Sequence, residues 1–174
     1  EKKNMTQPTE NEMSIVNSTL NVVVPNSVDS IEPGLFSGFT YDEDGEPEVI
    51  TGVSPDKYIQ TIVFNGVDEV DPYTFKNCIS LREAAMIGPD YIGDYAFDGP
   101  SEEEMNAAGA DIDLKKGMAL ETVTLGTNLT DTGKRPFAGC EKLTNVTCLD
   151  SDFIYNNGIL YRNAGNGLEI VECL

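Results

Sequence analysis

The chain contains no histidine and no tryptophan, and it sets 11 Lys and Arg against 30 Asp and Glu in 174 residues. Without imidazole, the usual activating base and the commonest ligand of catalytic zinc are both missing, which leaves carboxylate pairs or a lysine for acid–base chemistry. Thirty carboxylates guarantee chance pairs, so proximity of two acids designates nothing. Neither a phosphate-cradling glycine frame nor a nucleophile elbow occurs, and Gly165-Asn166-Gly167 fits neither GxGxxG nor GxxxxGK. The sequence therefore reads as a non-enzyme that needs no cofactor.

Basic charge is equally scarce. A formal net charge of −19 repels nucleic-acid phosphates and anionic lipid headgroups, and no run approaches the roughly 18 apolar residues that span a bilayer. Nucleic-acid partners and membrane insertion are thus set aside. The chain opens at Glu1 with no apolar leader, which fits a mature or trimmed product. Oligomeric state is not legible.

What is present is a phased recurrence. Phe75-Lys76-Asn77-Cys78, Phe97-Asp98-Gly99 and Phe137-Ala138-Gly139-Cys140 each follow an apolar run, with Phe 16 positions after Ile59 and Leu81 and 17 after Leu120. The inner positions read Ile62, Phe64, Val67, Val70 in one copy, Ala84, Met86, Ile92, Ala96 in the next, and Val123, Leu125, Leu129 in a third. An earlier copy holds Val22-Val23-Val24-Pro25, Val28, Ile31 and Phe36; a last partial copy holds Leu143, Val146 and Cys148. A period of 22 or 23 residues is one leucine-rich repeat, with one strand and one return segment per turn.

The pattern Leu-x-x-Val-x-Leu, Val-x-x-Ile, Ala-Phe-x-x-Cys resembles the BspA-like leucine-rich repeats of bacterial cell-surface and secreted proteins. Leu81 to Gly99, with Tyr91-Ile92-Gly93-Asp94-Tyr95-Ala96-Phe97, is the best-matching copy, and Phe153 to Tyr161 resembles the segment that often follows such repeats. The resemblance covers residues 19–174 less two inserts, and it implies a cell-surface or secreted location. Departures are Thr19 in the first leading slot, Pro89 where another copy has Val67, and Thr132 where others have Val70 and Ile92.

The expected fold is a β-rich solenoid: a leucine-rich repeat stack of about five short strands in one parallel sheet. Residues 1–18, polar and aperiodic, read as a flexible N-terminal lead-in or cap. Residues 19–174 form the repeat domain, with strands near 59–64, 82–86, 121–125 and 144–148. Asn157-Gly158 and Asn166-Gly167 predict a hairpin cap within 150–174 that covers the open end of the stack.

Cys78 and Cys140 share one phase two repeats apart, roughly 10 Å at the ~4.8 Å strand spacing, beyond the ~7 Å Cα limit of a disulfide. Cys148 falls at the inward position of Phe64, Met86 and Leu125. With no CxxC pair and no His, these read as small core thiols and no metal site is expected.

The period breaks twice at one phase. Six steps separate Phe75 from Leu81 and Phe137 from Leu143, but twenty-three separate Phe36 from Ile59 and Phe97 from Leu120, so each break adds seventeen residues. Inserts at 39–57 and 98–118 therefore leave the same edge of the stack, about 10 Å apart at their bases, where they can form a single protruding surface. Each carries six acids, against one and two lysines respectively. The first, Tyr41-Asp42-Glu43-Asp44-Gly45-Glu46, reads as a loop. Its alternating carboxylates lack the twelve-residue frame and distal Glu of a calcium loop. In the second, Ser101 to Gly109 reads as a short helix, with Ser101 as N-cap, Glu102, Glu103 and Glu104 in the positive first turn, and Gly109 as stop.

Long loops on a compact frame point to recognition. The candidate binding residues are Asp42, Glu43, Asp44, Glu46, Glu102, Glu103 and Glu104 on the inserts, and Thr61, Glu83 and Thr122 on the outward sheet face. The expected function is noncatalytic binding of a protein partner, as in adhesion or host interaction. The rival is a structural spacer or stalk with no ligand of its own. Carbohydrate recognition ranks third, with Tyr41, Tyr58, Tyr91 and Tyr95 as the available aromatic platforms. The inserts otherwise read as solvated elaborations that keep the sheet edge from pairing.

Overall fold

The computed structural model describes residues 3–5, 13–16, 19–107, 114, 117–149 and 152–174. The chain begins with β1 (Lys3–Met5) and β2 (Met13–Val16), and the first repeat supplies β3 (Thr19–Val24) and β4 (Val28–Ile31). The first insert holds β5 (Phe39–Tyr41) and β6 (Pro47–Val49). The next two repeats give β7 (Ile59–Phe64) with β8 (Glu69–Val70), then β9 (Glu83–Met86) with β10 (Tyr91–Ile92). Helix α1 (Glu102–Ala107) lies in the second insert, followed by β11 (Thr122–Leu125), β12 (Asp131–Thr132) and β13 (Asn145–Cys148). The last elements are β14 (Phe153–Asn156), β15 (Ile159–Asn163) and β16 (Leu168–Cys173).

Apolar alternation at period two makes one face of each repeat strand inward. Five of these strands pair in parallel in the order β13-β11-β9-β7-β3. Register stacks Val22, Ile62, Ala84, Val123 and Val146 in one inward row and Val24, Phe64, Met86, Leu125 and Cys148 in the next. All are buried except Cys148, which is half-buried on the last strand. Leu20, not Thr19, pairs with Ile59; a bulge follows it. The return segments form a second, short parallel sheet, β12-β10-β8, in which Thr132 does continue the row of Val70 and Ile92.

Behind the sheets runs a column of rings. Phe36, Phe75, Phe97 and Phe137 stack face to face with centroids 5.1, 4.9 and 5.4 Å apart, close to the strand spacing that the sheet imposes. Backbone bonds run beside the column. Phe75 N donates to Ala96 O at 2.7 Å and Phe97 N to Pro136 O at 2.8 Å, so each rung gives its N–H to the next. Seven of the eight residues two before or two after a Phe of the column take left-handed backbone, Gly34, Gly38, Tyr73, Asn77, Tyr95, Arg135 and Gly139, so the turn costs strain wherever the residue is not glycine. The Cys78 thiol donates to Phe36 O and the Cys140 thiol to Phe97 O, and all four cysteines are free.

Three regions hold more strand than their sequence pattern suggests. The opening stretch, read as a flexible lead-in or cap, contains two strands where no period was visible: β1 lies parallel to β4 and β2 runs antiparallel to β3. An antiparallel neighbour satisfies the edge of β3 that the repeat pattern leaves unpaired. The C-terminal hairpin is a three-stranded antiparallel sheet, β14-β15-β16. Asn157 and Gly158 both have positive φ, 52° and 79°, the two-residue turn that suits a tight hairpin, so residues 153–156 pair as well. Phe153 and Leu160 join the core. The first insert, read as a loop, is the hairpin β5-β6.

Candidate functional site

The first insert is organised by Asp42. Its Oδ1 accepts from Asp44 N at 2.9 Å and Glu46 N at 3.0 Å, and its own N–H donates to Glu46 O at 3.0 Å. An aspartate that closes its own turn is a structural acid, so one carboxylate oxygen of the exposed Asp42 is committed to the hairpin. The hairpin, exposed from residue 41 to 49, meets the turns of the stack at three points. Tyr41 faces Asp71, whose charge adds to burial in raising the Tyr41 hydroxyl, and Tyr73 O–H donates to Gly45 O at 3.2 Å. Burial, reinforced by Glu46, pushes the Tyr73 hydroxyl up to about 12, so it keeps its proton and remains a donor. The third point is the ring of Phe39, 5.4 Å from Lys76 Nζ.

Lys76 also holds the second insert. Its ammonium donates to Asp98 Oδ2 at 2.8 Å and Glu104 Oε2 at 3.3 Å, while Asn77 Nδ2 donates to Glu104 Oε1 at 3.0 Å. The Lys76 side chain is only 6% exposed, so its charge is compensated where water hardly reaches. Lys76 and Asp98 occupy the same phase, one after Phe75 and Phe97, and repeat stacking alone brings them together. Glu104 arrives through α1. Ser101 Oγ accepts from Glu104 N at 3.1 Å and Glu104 Oε2 accepts from Ser101 N at 2.7 Å, the reciprocal capping box. Burial pushes Glu104 up, but the Ser101 N–H, Lys76 and Asn77 outweigh it and hold the carboxyl below its usual range. At Asp98 burial wins over Lys76 and the carboxyl is raised. The expected N-cap is confirmed; the expected stop at Gly109 lies outside the described residues.

Between the hairpin tip and the stack lies a groove of about 300 Å³, lined by Asp44, Glu46, Tyr73, Asp94, Tyr95 and Asp98, with Lys134 at its rim. Tyr73 and Tyr95 stack nearly parallel, 5.8 Å between centroids and 8° between planes. A second groove of about 310 Å³ shares Asp94 and Lys134 and continues past Thr132 to Arg162, Glu169 and Ile170 on the C-terminal sheet. Arg162 is tied there by Asp131 and by Glu169 at 2.6 Å.

The predicted acids thus divide. Asp44 and Glu46 meet in the groove, Glu104 turns inward to Lys76, and Glu43, Glu102 and Glu103 are exposed. Thr61, Glu83 and Thr122 form one outward row of the sheet, continued by Asn21 and Asn145; Thr61 Oγ1 donates to Asn21 Oδ1. Tyr58 is 76% exposed and stands apart from the groove. Sequence reasoning missed Lys76, Asn77 and Tyr73. Aligning Lys76 over Asp98 by phase was the available signal. Among the described residues no three His, Cys, Asp or Glu side chains group as metal ligands, and no helix is long and apolar enough to cross a membrane.

A family model for the BspA-type leucine-rich repeat region matches six copies over residues 55–109 and 114–164, more than half of the chain. The protein belongs to the BspA-type leucine-rich repeat family. No curated protein matches it. Among solved structures it is similar to a leucine-rich cell surface protein from Faecalibacterium prausnitzii, at 12% identity and a TM-score of 0.30, covering 94% of this chain. The chain spans 60% of the length of that structure.

Proposed function

We propose that this chain is a noncatalytic protein-binding module of a cell-surface or secreted bacterial protein, engaged in adhesion or host contact. In this reading residues 19–174 coil as a solenoid, residues 1–18 cap its first strand, and the C-terminal sheet of 150–174 caps its last. Repeat stacks of this kind work by presenting an extended surface to a partner. The observation that carries the proposal is the coupling of both inserts through Lys76, which contacts Phe39, Asp98 and Glu104 together. Burying an ammonium to fix two acidic loops against one edge serves a surface of defined shape.

The test is crosslinking capture on intact host cells and on bacterial surface extracts. The parent is compared with a variant in which Glu43, Glu102 and Glu103, all exposed and outside the Lys76 cluster, become Gln, and with a second in which Thr61 and Thr122 become Arg. A defined partner lost in either variant supports binding and assigns its face. If the parent captures no partner from any source, the spacer reading replaces this one.

A further inference from the structure

The two grooves share Asp94 and Lys134 as walls, so they adjoin and make a two-part channel along the turn edge, from the tip of the β5-β6 hairpin to Ile170 on β16. Its two ends differ in chemistry. At the hairpin end Tyr95 forms the wall, backed by the buried Tyr73 on which it stacks, with Asp44, Glu46 and Asp94 around it and Lys134 beside them; Asp98 lines this end too but is already bound by Lys76. At the far end Ile170 is 59% exposed, and the local cation, Arg162, is already held by Asp131 and Glu169. The frame is fixed, since the Tyr73 hydroxyl holds Gly45 and Asp42 closes the tip.

Both tyrosines sit in left-handed backbone, φ 59° and 52°, at a phase that the first repeat fills with Gly34. Glycine would relieve that strain. Aromatic side chains are retained instead, and their stacking builds the groove wall. A π-face among carboxylates in a restricted cleft suits a cation that is also planar or flexible enough to lie along a ring. Small metal ions do not fit this wall, because tyrosine faces are poor ligands for hard cations.

On the reading that the chain binds a protein, we infer that this channel seats an extended segment of the partner. A Lys or Arg side chain of that segment lies on the Tyr95 ring, and an apolar side chain lies against Ile170. The negative net charge of the protein steers such a segment toward the channel.

The test selects a random twelve-residue display library on the immobilised full chain. The enriched peptides are synthesised and titrated by calorimetry against the parent, Tyr95→Asn, and the double variant Asp44→Asn with Glu46→Gln. Asparagine tolerates the left-handed backbone at position 95, and a circular dichroism melt checks that each variant folds. The expected peptides carry a Lys or Arg with an apolar residue several positions away, bind at least tenfold more weakly to both variants, and weaken further as salt rises. Enriched peptides without a basic residue, equal affinity for parent and variants, or no enrichment at all each overturn the channel as a basic-segment site. Binding that survives these variants but is lost when Thr61 and Thr122 become Arg moves recognition to the sheet and leaves protein binding standing. Failure of the capture experiment removes both.

Discussion

Replacing Phe97 by Ala tests the ring column where it is most enclosed. Phe97 is fully buried and stacks on Phe75 at 4.9 Å and Phe137 at 5.4 Å. Truncation removes the buried ring and leaves a cavity that parallel backbone ladders on both sides cannot collapse into, so the cost falls in the range of about 3–5 kcal/mol. Phe36 is just as buried but stacks in the column only on Phe75, at 5.1 Å. One aromatic pair contributes about 0.5–1.5 kcal/mol beyond its area, so Phe36→Ala costs less than Phe97→Ala by roughly 1 kcal/mol. For a chain of this length about 2–4 °C of melting temperature accompanies each kcal/mol. Circular dichroism melts then place Phe97→Ala roughly 8–16 °C below the parent, from about 4 kcal/mol at that slope, with Phe36→Ala between the two. A Phe97→Ala protein melting within a degree or two of the parent, or below which Phe36→Ala falls, refutes the column as the continuous core.

Lys76→Met leaves the Asp98 and Glu104 carboxylates facing each other without their cation. Because both are partly solvated, we expect a loss on the order of 2 kcal/mol rather than the 3–5 of a fully buried pair, and faster amide exchange in both 39–49 and 102–107; exchange that rises in one insert alone breaks the coupling argument. Gly88→Ala sets a Cβ 2.6 Å from Asn65 O and 2.8 Å from Asn65 C, backbone atoms that cannot rotate away, so it costs about 1–3 kcal/mol by overpacking. Gly45→Ala, at φ +82° with open space around it, carries only the left-handed penalty of about 1–2 kcal/mol, and urea titrations compare the two. Burial raises the Glu172 carboxyl above its usual range, with Phe137 N–H and Arg135 pulling it back. Its contribution is therefore complete below the unfolded value near 4.5 and declines as pH rises through the folded one. Glu172→Gln should gain on the parent more at pH 7 than at pH 4 in melting temperature, and a constant offset contradicts the assignment.

Much of this fold was legible because repeat phase is a one-dimensional code. Ile62, Ala84 and Val123 read as inward residues at equal phase, and register pairs them. The capping box at Ser101 and Glu104 was equally local. What escaped depends on contacts between separate turns of the chain. Asp42 looked like a ligand because carboxylates are counted by sequence, whereas its turn geometry commits it to Asp44 and Glu46 N–H groups. The first insert looked like a loop because Asp and Glu dominate it, yet Phe39, Tyr41 and Val49 supply strand residues, and Phe39 lies beside Lys76 of the stack. Lys76 carried no role in the repeat pattern, because Phe39 and Glu104 reach it from opposite inserts. Glu172 carried no signal at all, since its role exists only at the last rung.

That last rung shows how the ladder is closed. Phe75 N and Phe97 N donate to the carbonyl of the following repeat; Phe137 N donates at 2.9 Å to Glu172 Oε2 instead. The carboxylate stands where a further carbonyl would accept, and its side chain is 3% exposed, so β16 substitutes for a repeat with a single side chain. The inserts obey the complementary rule. The second leaves after the ladder bonds Asn77 N to Asp98 O and Gly99 N to Ala138 O are made, so its seventeen extra residues enter without breaking a rung, while the first leaves at Gly38, whose N–H turns back to Gly34 O. Loop closure grows only slowly with length, about 0.6 kcal/mol per doubling, while the Phe column and both sheets stay intact. The edge can therefore vary independently of the core, and Lys76 is the point where a change in either insert is felt by the other.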